Sequence, residues 1–330
     1  MKLTLLGTGT PTPSLKRASS GYMLEIGPDL ILLDHGPGAH HRLLESGKRA
    51  MDVTHMFFSH LHYDHCADFI RLFLTRWDQG ADRIPELKVY GPPPVRRMCE
   101  QLFGQDGAFA PDLNARIKHQ GSIDIFVARG GRPPRKWPQP EIIELTDHDQ
   151  VKGNGWTLRT APSSHVQPYL ECYAYRIDSA EGSVCYSGDS GGVAPALIEL
   201  ARGCDVLIHM NHYFSGTEPT DSYRLVCGNH EDVGQVAHAA NVKTLVLSHF
   251  LEQIDQPGLR EHIVRAIAKT FTGNIVWGKT SWRFPSKVRA CFEWSSESAR
   301  VGHALFGLES PRERLQLASS LASSLATGNA

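Results

Sequence analysis

The chain has 330 residues, 41% of them hydrophobic and 21% charged, a balance that excludes a disordered, fibrous or membrane-embedded protein and suits one large or two small domains. Its 34 Lys and Arg against 35 Asp and Glu leave a net charge of -1, so no general field attracts nucleic acid and any such binding needs a local basic patch. No apolar run reaches the roughly 18 residues that span a bilayer, and Met1-Lys2-Leu3-Thr4 enters a strand pattern rather than a secretory leader, which points to a soluble, cytoplasmic protein.

Lys2 to Leu6 is a short apolar run ended by Gly7-Thr8-Gly9-Thr10-Pro11, and Tyr22 to Ile26 and Leu30 to Asp34 read as two further strands around Gly27-Pro28-Asp29. An antiparallel sheet therefore opens the fold. His40 to Ser46 has helical character and stops at Gly47, Asp52 to Phe58 is a strand running into Ser59-His60, and a helix with apolar positions at 69, 70, 73 and 74 follows. Leu87 to Tyr90 is a strand, and Val95 to Phe103 a helix.

Residues 104–140 are rich in Gly and Pro and read as an irregular loop insertion, a cover for a site or a subunit contact. Its basic run from Arg129 to Lys136 reads as solvated, with phosphate gripping as the alternative. Strand patterns return at Thr157 to Thr160, Cys172 to Ile177 and Ser183 to Ser187. Helix-strand alternation follows, with helices over Ala196–Arg202 and Glu231–Ala240 and strands over Val206–Ile208 and Thr244–Leu247. Strands in two batches, each leading into strand-helix alternation, predict two packed sheets with helices outside. The boundaries expected are a domain over 1–282 and an extension over 283–330, in which Leu317, Leu321 and Leu325 form the stripe of a short helix unless the Ser-rich tail is disordered.

The seven cysteines are scattered and odd in number, and none forms C-x-x-C, so they read as buried free thiols. Only Cys66 adjoins a site motif. Histidine is the unusual residue, at 17 copies. Ser59-His60-Leu61-His62-Tyr63-Asp64-His65 places four ligand-type side chains in six residues at the end of a predicted strand. In such a turn His60 and His62 point one way while Asp64 and His65 reach a second position, and imidazole with carboxylate suits zinc, with manganese or iron as substitutes.

This H-x-H-x-D-H string resembles the metallo-β-lactamase superfamily, and the resemblance continues in order through Asp34, His165, Asp189 and His249. It implies a four-layer αββα sandwich and two zinc ions per chain. One would be held by His60, His62, His165 and Asp189, the other by Asp64, His65, His249 and Asp189, with Asp34 behind the metal loop orienting it. It also implies a metal-bound hydroxide as nucleophile. Within the superfamily, Leu6-Gly7-Thr8-Gly9-Thr10-Pro11, the Tyr173 to Ile177 strand and Asn229-His230-Glu231-Asp232 are similar to the ribonuclease Z-like branch, where His230 would occupy a catalytic position and a homodimer is expected.

Three features turn the expectation toward a small molecule. Met210 stands where that branch carries a glutamate; only residues 166–188, room for two strands and a turn, separate His165 from Asp189 where that branch inserts its tRNA-grasping arm; and the net charge is near zero. Asn211 and His212 supply an oxyanion donor and an acid in their place. Trp77, Phe109, Trp137, Tyr169, Tyr213, Phe214 and Phe250 either line an apolar pocket or pack in cores. The expected activity is hydrolysis of a small ester, phosphodiester or aryl halide, the alternative being a ribonuclease Z-type endonuclease on tRNA 3' ends.

Overall fold

The computed structural model describes residues 1–280 and the strand Trp282–Phe284. The first sheet contains β1 (Lys2–Gly7), β2 (Gly21–Ile26), β3 (Asp29–His35), β4 (His55–Phe57), β5 (Lys88–Gly91) and β6 (Glu141–Glu144) in that order, with β14 (Trp282–Phe284) added beside β1. The second contains β7 (Gln150–Lys152), β8 (Trp156–Pro162), β9 (Tyr173–Ser179), β10 (Gly182–Tyr186), β11 (Val206–Met210), β12 (Thr244–Ser248) and β13 (Asn274–Trp277). Each sheet begins as an antiparallel meander and becomes parallel, at β3 in the first and at β10 in the second. The two halves thus repeat one connectivity without repeating sequence.

Period-two alternation sorts the side chains. On β3, Ile31 and Leu33 enter the core between the sheets, whereas Leu30 and Leu32 face the helices outside. The inner core brings Phe57 and Tyr90, stacked at 4.4 Å, against Trp156 and Tyr175 of the other sheet. Outside the first sheet pack α1 (Ala39–Glu45), α3 (Phe69–Gly80) and α4 (Val95–Phe103); outside the second, α7 (Pro195–Ala201), α9 (His230–Ala239) and α10 (Leu259–Ile267). The metallo-β-lactamase fold, with its αββα layering, is the result.

Parallel neighbours need a crossover, and this corrects the reading of residues 104–140. That segment is most of the β5-to-β6 crossover, and it folds into α5 (Ala110–Lys118) and α6 (Gln120–Ala128) after α4. The basic run is partly tied down, while Arg129, Arg132 and Lys136 stay exposed as expected. Arg129 and Arg135 both bind the Asp78 carboxylate, at 2.6 and 2.9 Å, and the buried Arg135 lies 3.8 Å over the Trp77 ring. β14 crosses the boundary expected at 282, and the terminal helix expected near 317–325 lies outside the described residues. No helix among the described residues is long and apolar enough to cross a membrane.

His35 and His209 are among the histidines buried inside this frame. Burial pushes His35 down to about 3 and His209, on β11, down to about 4 from an ordinary 6.5; the His40 ring beside His35 adds to the effect. Both stay neutral when folded but take protons when unfolded, so their stability contribution is complete above pH 6.5 and is lost as pH falls below it. Each removes on the order of 1–2 kcal/mol by pH 5. Urea midpoints in the presence of a chelator are expected to fall between pH 7 and pH 5; a flat profile over that window would contradict the assignment.

Candidate metal centre

The site forms where strands of both sheets end. Asp34 lies in the last turn of β3, His60 to His65 follow β4, His165 follows β8, Asp189 follows β10 and His249 follows β12. Asp34 and His249 both adopt left-handed backbone, with φ of 56° and 58°, a strained conformation that turns each chain sharply out of its strand. Two glycines permit the close approach this needs. A Cβ on Gly36 would lie 1.8 Å from the Asp64 carbonyl oxygen, and one on Gly188, at φ 58°, would lie 2.9 Å from that of Tyr173.

These turns bring all seven expected ligands together. The donor atoms of His60, His62, His165 and Asp189 lie within 4.8 Å of one another, as do those of Asp64, His65 and His249. His62 Nδ1 is 2.9 Å from His60 Nε2 and 3.3 Å from His165 Nε2, so three imidazole nitrogens converge. Asp189 touches both groups. Its Oδ1 is 3.5 Å from His65 Nε2, and its Oδ2 is 3.3 Å from His249 Nε2 and 3.8 Å from His165 Nε2.

Asp34 sets the orientation. Fully buried, it accepts from the Ser59 amide, the Ser59 hydroxyl, the Tyr186 hydroxyl and His65 Nδ1, each at 2.7 Å. The last bond commits the His65 proton to Nδ1 and leaves Nε2 as the lone-pair side. That nitrogen is buried and makes no hydrogen bond among the described residues, although it lies 3.4 Å from Asp64 Oδ2. Facing two carboxylates, that nitrogen must hold either a second proton or a metal ion, and the convergent imidazole and carboxylate donors fit metal ions.

The charge states agree. Burial opposes ionisation of Asp64 and Asp189, yet the histidines around them, His249 and His65 foremost, hold both carboxyls well below the usual range. Burial lowers His60 and His62 and keeps them neutral, the form that binds metal. For His65, burial is outweighed by Asp189 and Asp34, which hold it well above its ordinary value. The carboxylates therefore draw positive charge into this pocket.

The remaining candidates divide. Asn211 follows β11, is fully buried, and neither amide atom of its side chain has a hydrogen-bond partner among the described residues. His212 Nδ1 lies 3.1 Å from His249 Nδ1. His230 begins α9; its Nδ1 accepts from the Ser215 amide and its ring packs on Phe214, which also meets the His262 ring, contacts outside the two clusters. Of the aromatics, Phe109 packs with the outer core around Phe103, and Phe250 stacks at 4.2 Å on Trp277 while lining a small cleft with Arg17 and Asp255. Trp77 carries Arg135. The Cys66 thiol donates to the His62 carbonyl and is pushed up to about 11 by burial, which makes it a packing group and no nucleophile. Sequence reading missed Ser59, Tyr186 and the Val226 carbonyl that receives His165 Nδ1 at 2.7 Å. Tyr186 left one trace, a polar-tipped ring at an inward strand position three residues before a ligand.

The chain is similar to known proteins. The model of the beta-lactamase superfamily domain matches residues 29–250. Ribonuclease Z of Mycobacterium sp. (strain KMS) is 32% identical over 260 residues, covering 77% of this chain and 85% of that protein. Among solved structures, the metallo-beta-lactamase fold protein YhfI from Bacillus subtilis superposes with a TM-score of 0.64 at 19% identity, covering 86% of this chain and 98% of that one. The short form of human tRNase Z gives 0.61 at 18%, covering 87% and 100%.

Because Asp34 holds the His65 tautomer, Asp34→Ala is expected to weaken metal affinity about ten- to a hundredfold. Competition with a chromophoric chelator measures it, and an affinity equal to wild type would show that His65 orients itself.

Proposed function

The chain belongs to the metallo-β-lactamase superfamily, in its ribonuclease Z-like branch, and on that premise we propose that this metal-dependent hydrolase cleaves phosphodiesters through a pair of divalent cations, zinc being the ions the donor set suits best. The observation that carries the reading is the pair of buried His/Asp clusters that share Asp189. His60, His62, His165 and Asp189 would hold one ion, and Asp64, His65, His249 and Asp189 the other. Bound there, divalent ions would supply a water of lowered pKa and a Lewis acid for the scissile oxygen.

The protein's own groups do the rest. Asp64, an ionised carboxylate 3.3 Å from His249 and 3.4 Å from His65, is placed to accept the proton of the attacking water. Asn211 keeps an unpaired amide donor that gains a partner when charge develops on a phosphoryl oxygen, and so stabilises the transition state more than the ground state. His230, already neutral because burial lowers it, stands where the branch places the residue that protonates the leaving oxygen. With Nδ1 accepting from the Ser215 amide, its proton lies on Nε2, the nitrogen that would donate.

The likeness to ribonuclease Z makes an RNA phosphodiester the first substrate class to test. A second reading, a small-molecule ester or aryl halide, is favoured by two observations. Arg129 and Arg135 of the basic run are tied to Asp78 rather than presented to a polyanion, and β9 and β10 fill the segment between His165 and Asp189. Cytoplasmic location and a homodimer are part of the proposal through the likeness alone.

Bis(p-nitrophenyl) phosphate is expected to turn over in a chelator-sensitive, zinc-restored reaction that Asp64→Ala slows about a hundredfold or more, the scale of losing several kcal/mol of transition-state stabilisation. Cleavage of precursor tRNA should also weaken steeply as salt rises. Turnover of p-nitrophenyl acetate with none of either phosphodiester would move the assignment to the second reading.

A further inference from the structure

Each ligand imidazole that presents Nε2 to the centre has its other ring nitrogen engaged. His60 Nδ1 meets the Ser59 hydroxyl at 3.0 Å, His65 Nδ1 meets Asp34 at 2.7 Å, and His165 Nδ1 meets the Val226 carbonyl at 2.7 Å. Three of the four partners are oxygens. The Ser59 hydroxyl donates its own proton to Asp34, so it is free to accept from His60. His249 is different: its Nδ1 faces a second imidazole, His212 Nδ1, at 3.1 Å.

We propose that His212 is a positioning residue that fixes the tautomer and tilt of His249, a role resting on the metal-site reading above. Two ring nitrogens at this distance need one proton between them, because two lone pairs or two N–H groups would repel. His249 Nε2 lies 3.3 Å from both Asp64 Oδ2 and Asp189 Oδ2, on the ligand side, and a ligand nitrogen must carry a lone pair. The proton therefore sits on His249 Nδ1, His212 accepts with Nδ1, and the His212 proton is on Nε2. This assignment leaves His212 Nδ1 unavailable for the acid role expected from its place beside Asn211.

The backbone holds His212 for this task. Met210 pairs with Ser248 across parallel β11 and β12, so residues 211 and 212 leave one strand where His249 leaves the next. The Asn211 amide donates to the Ser248 carbonyl at 2.7 Å, and the His212 amide donates to the Gly228 carbonyl at 2.8 Å. Gly228 admits no side chain, because a Cβ there would lie 2.2 Å from the Met210 carbonyl oxygen. The ring is buried, 8% exposed, and so keeps one orientation against His249. An imidazole acceptor replaces the oxygen that second partners of metal-binding histidines usually supply, and the position becomes sensitive to which side chain occupies 212.

The test is zinc competition between the full chain and a chromophoric chelator, with 15N imidazole spectra of the zinc-loaded protein as a second readout. His212→Ala is expected to weaken the weaker binding step about ten- to a hundredfold and to leave His249 without a single tautomer. His212→Asn, whose side-chain oxygen can accept in place of Nδ1, is expected to restore most of the affinity and the Nδ1–H signature. Melting of the chelated variants checks that each one folds. Affinity within twofold of wild type in His212→Ala, or no rescue by His212→Asn in a folded protein, overturns the positioning role. A wild-type chain that binds no zinc overturns the metal-site reading itself and is thus a separate result. Phosphodiesterase activity enters neither arm.

Discussion

Three carboxylates, Asp34, Asp64 and Asp189, are buried within one ring of imidazoles, and the rest of the structure answers the cost of putting them there. Ionised carboxylates are expensive to remove from water unless paired, hydrogen-bonded or bound to metal. Asp34 is met by four donors of the protein itself. Among the described residues the ion-pair partners of Asp64 and Asp189 are imidazoles, most of which must be neutral to remain ligands. The difference separates a carboxylate that orients from carboxylates that bind, and it makes the centre a site for cations rather than a hydrogen-bonded core.

The sheets serve this arrangement by ending together. Side chains that alternate between an inner core and two outer cores hold the strands rigid, and the ligand loops leave from strands of both sheets. The meander-then-parallel order of each sheet means that the two halves contribute comparable strand ends: Asp34 and His60 to His65 from one, His165, Asp189 and His249 from the other. Tyr186 joins the halves at the site, since it rises from β10 in the second sheet and donates to Asp34 in the first. The strained left-handed turns at Asp34 and His249 persist because both residues are pinned by these contacts.

What could be read in the sequence follows from how local each signal is. The His60 to His65 string lies on one turn, and its meaning depends on spacing alone. Asp34, His165, Asp189 and His249 were found by their resemblance to the superfamily's motifs, whose order and strand-end placement survive any distance along the chain. The strands and most helices with an apolar stripe were legible for the same reason, Val95–Phe103 to the residue. The α5 and α6 crossover was not, because Gly and Pro flank it and because its need arises from β5 pairing with β6 in parallel, a long-range fact. The fate of Arg129 and Arg135 was hidden likewise: only the fold brings Asp78 and Trp77 beneath them. Ser59, the Val226 carbonyl and the contact of His212 with His249 are side-chain and backbone contacts with no sequence period at all.

The most direct test of the two-cation centre is the number of metal equivalents bound per chain, counted by native mass spectrometry on the full-length protein beside Asp189→Ala. Two equivalents in wild type and no more than one tightly held in the variant is the predicted result, since Asp189 is the carboxylate that both clusters share. A wild-type chain that binds none, or a variant that still binds two as tightly, would contradict the account.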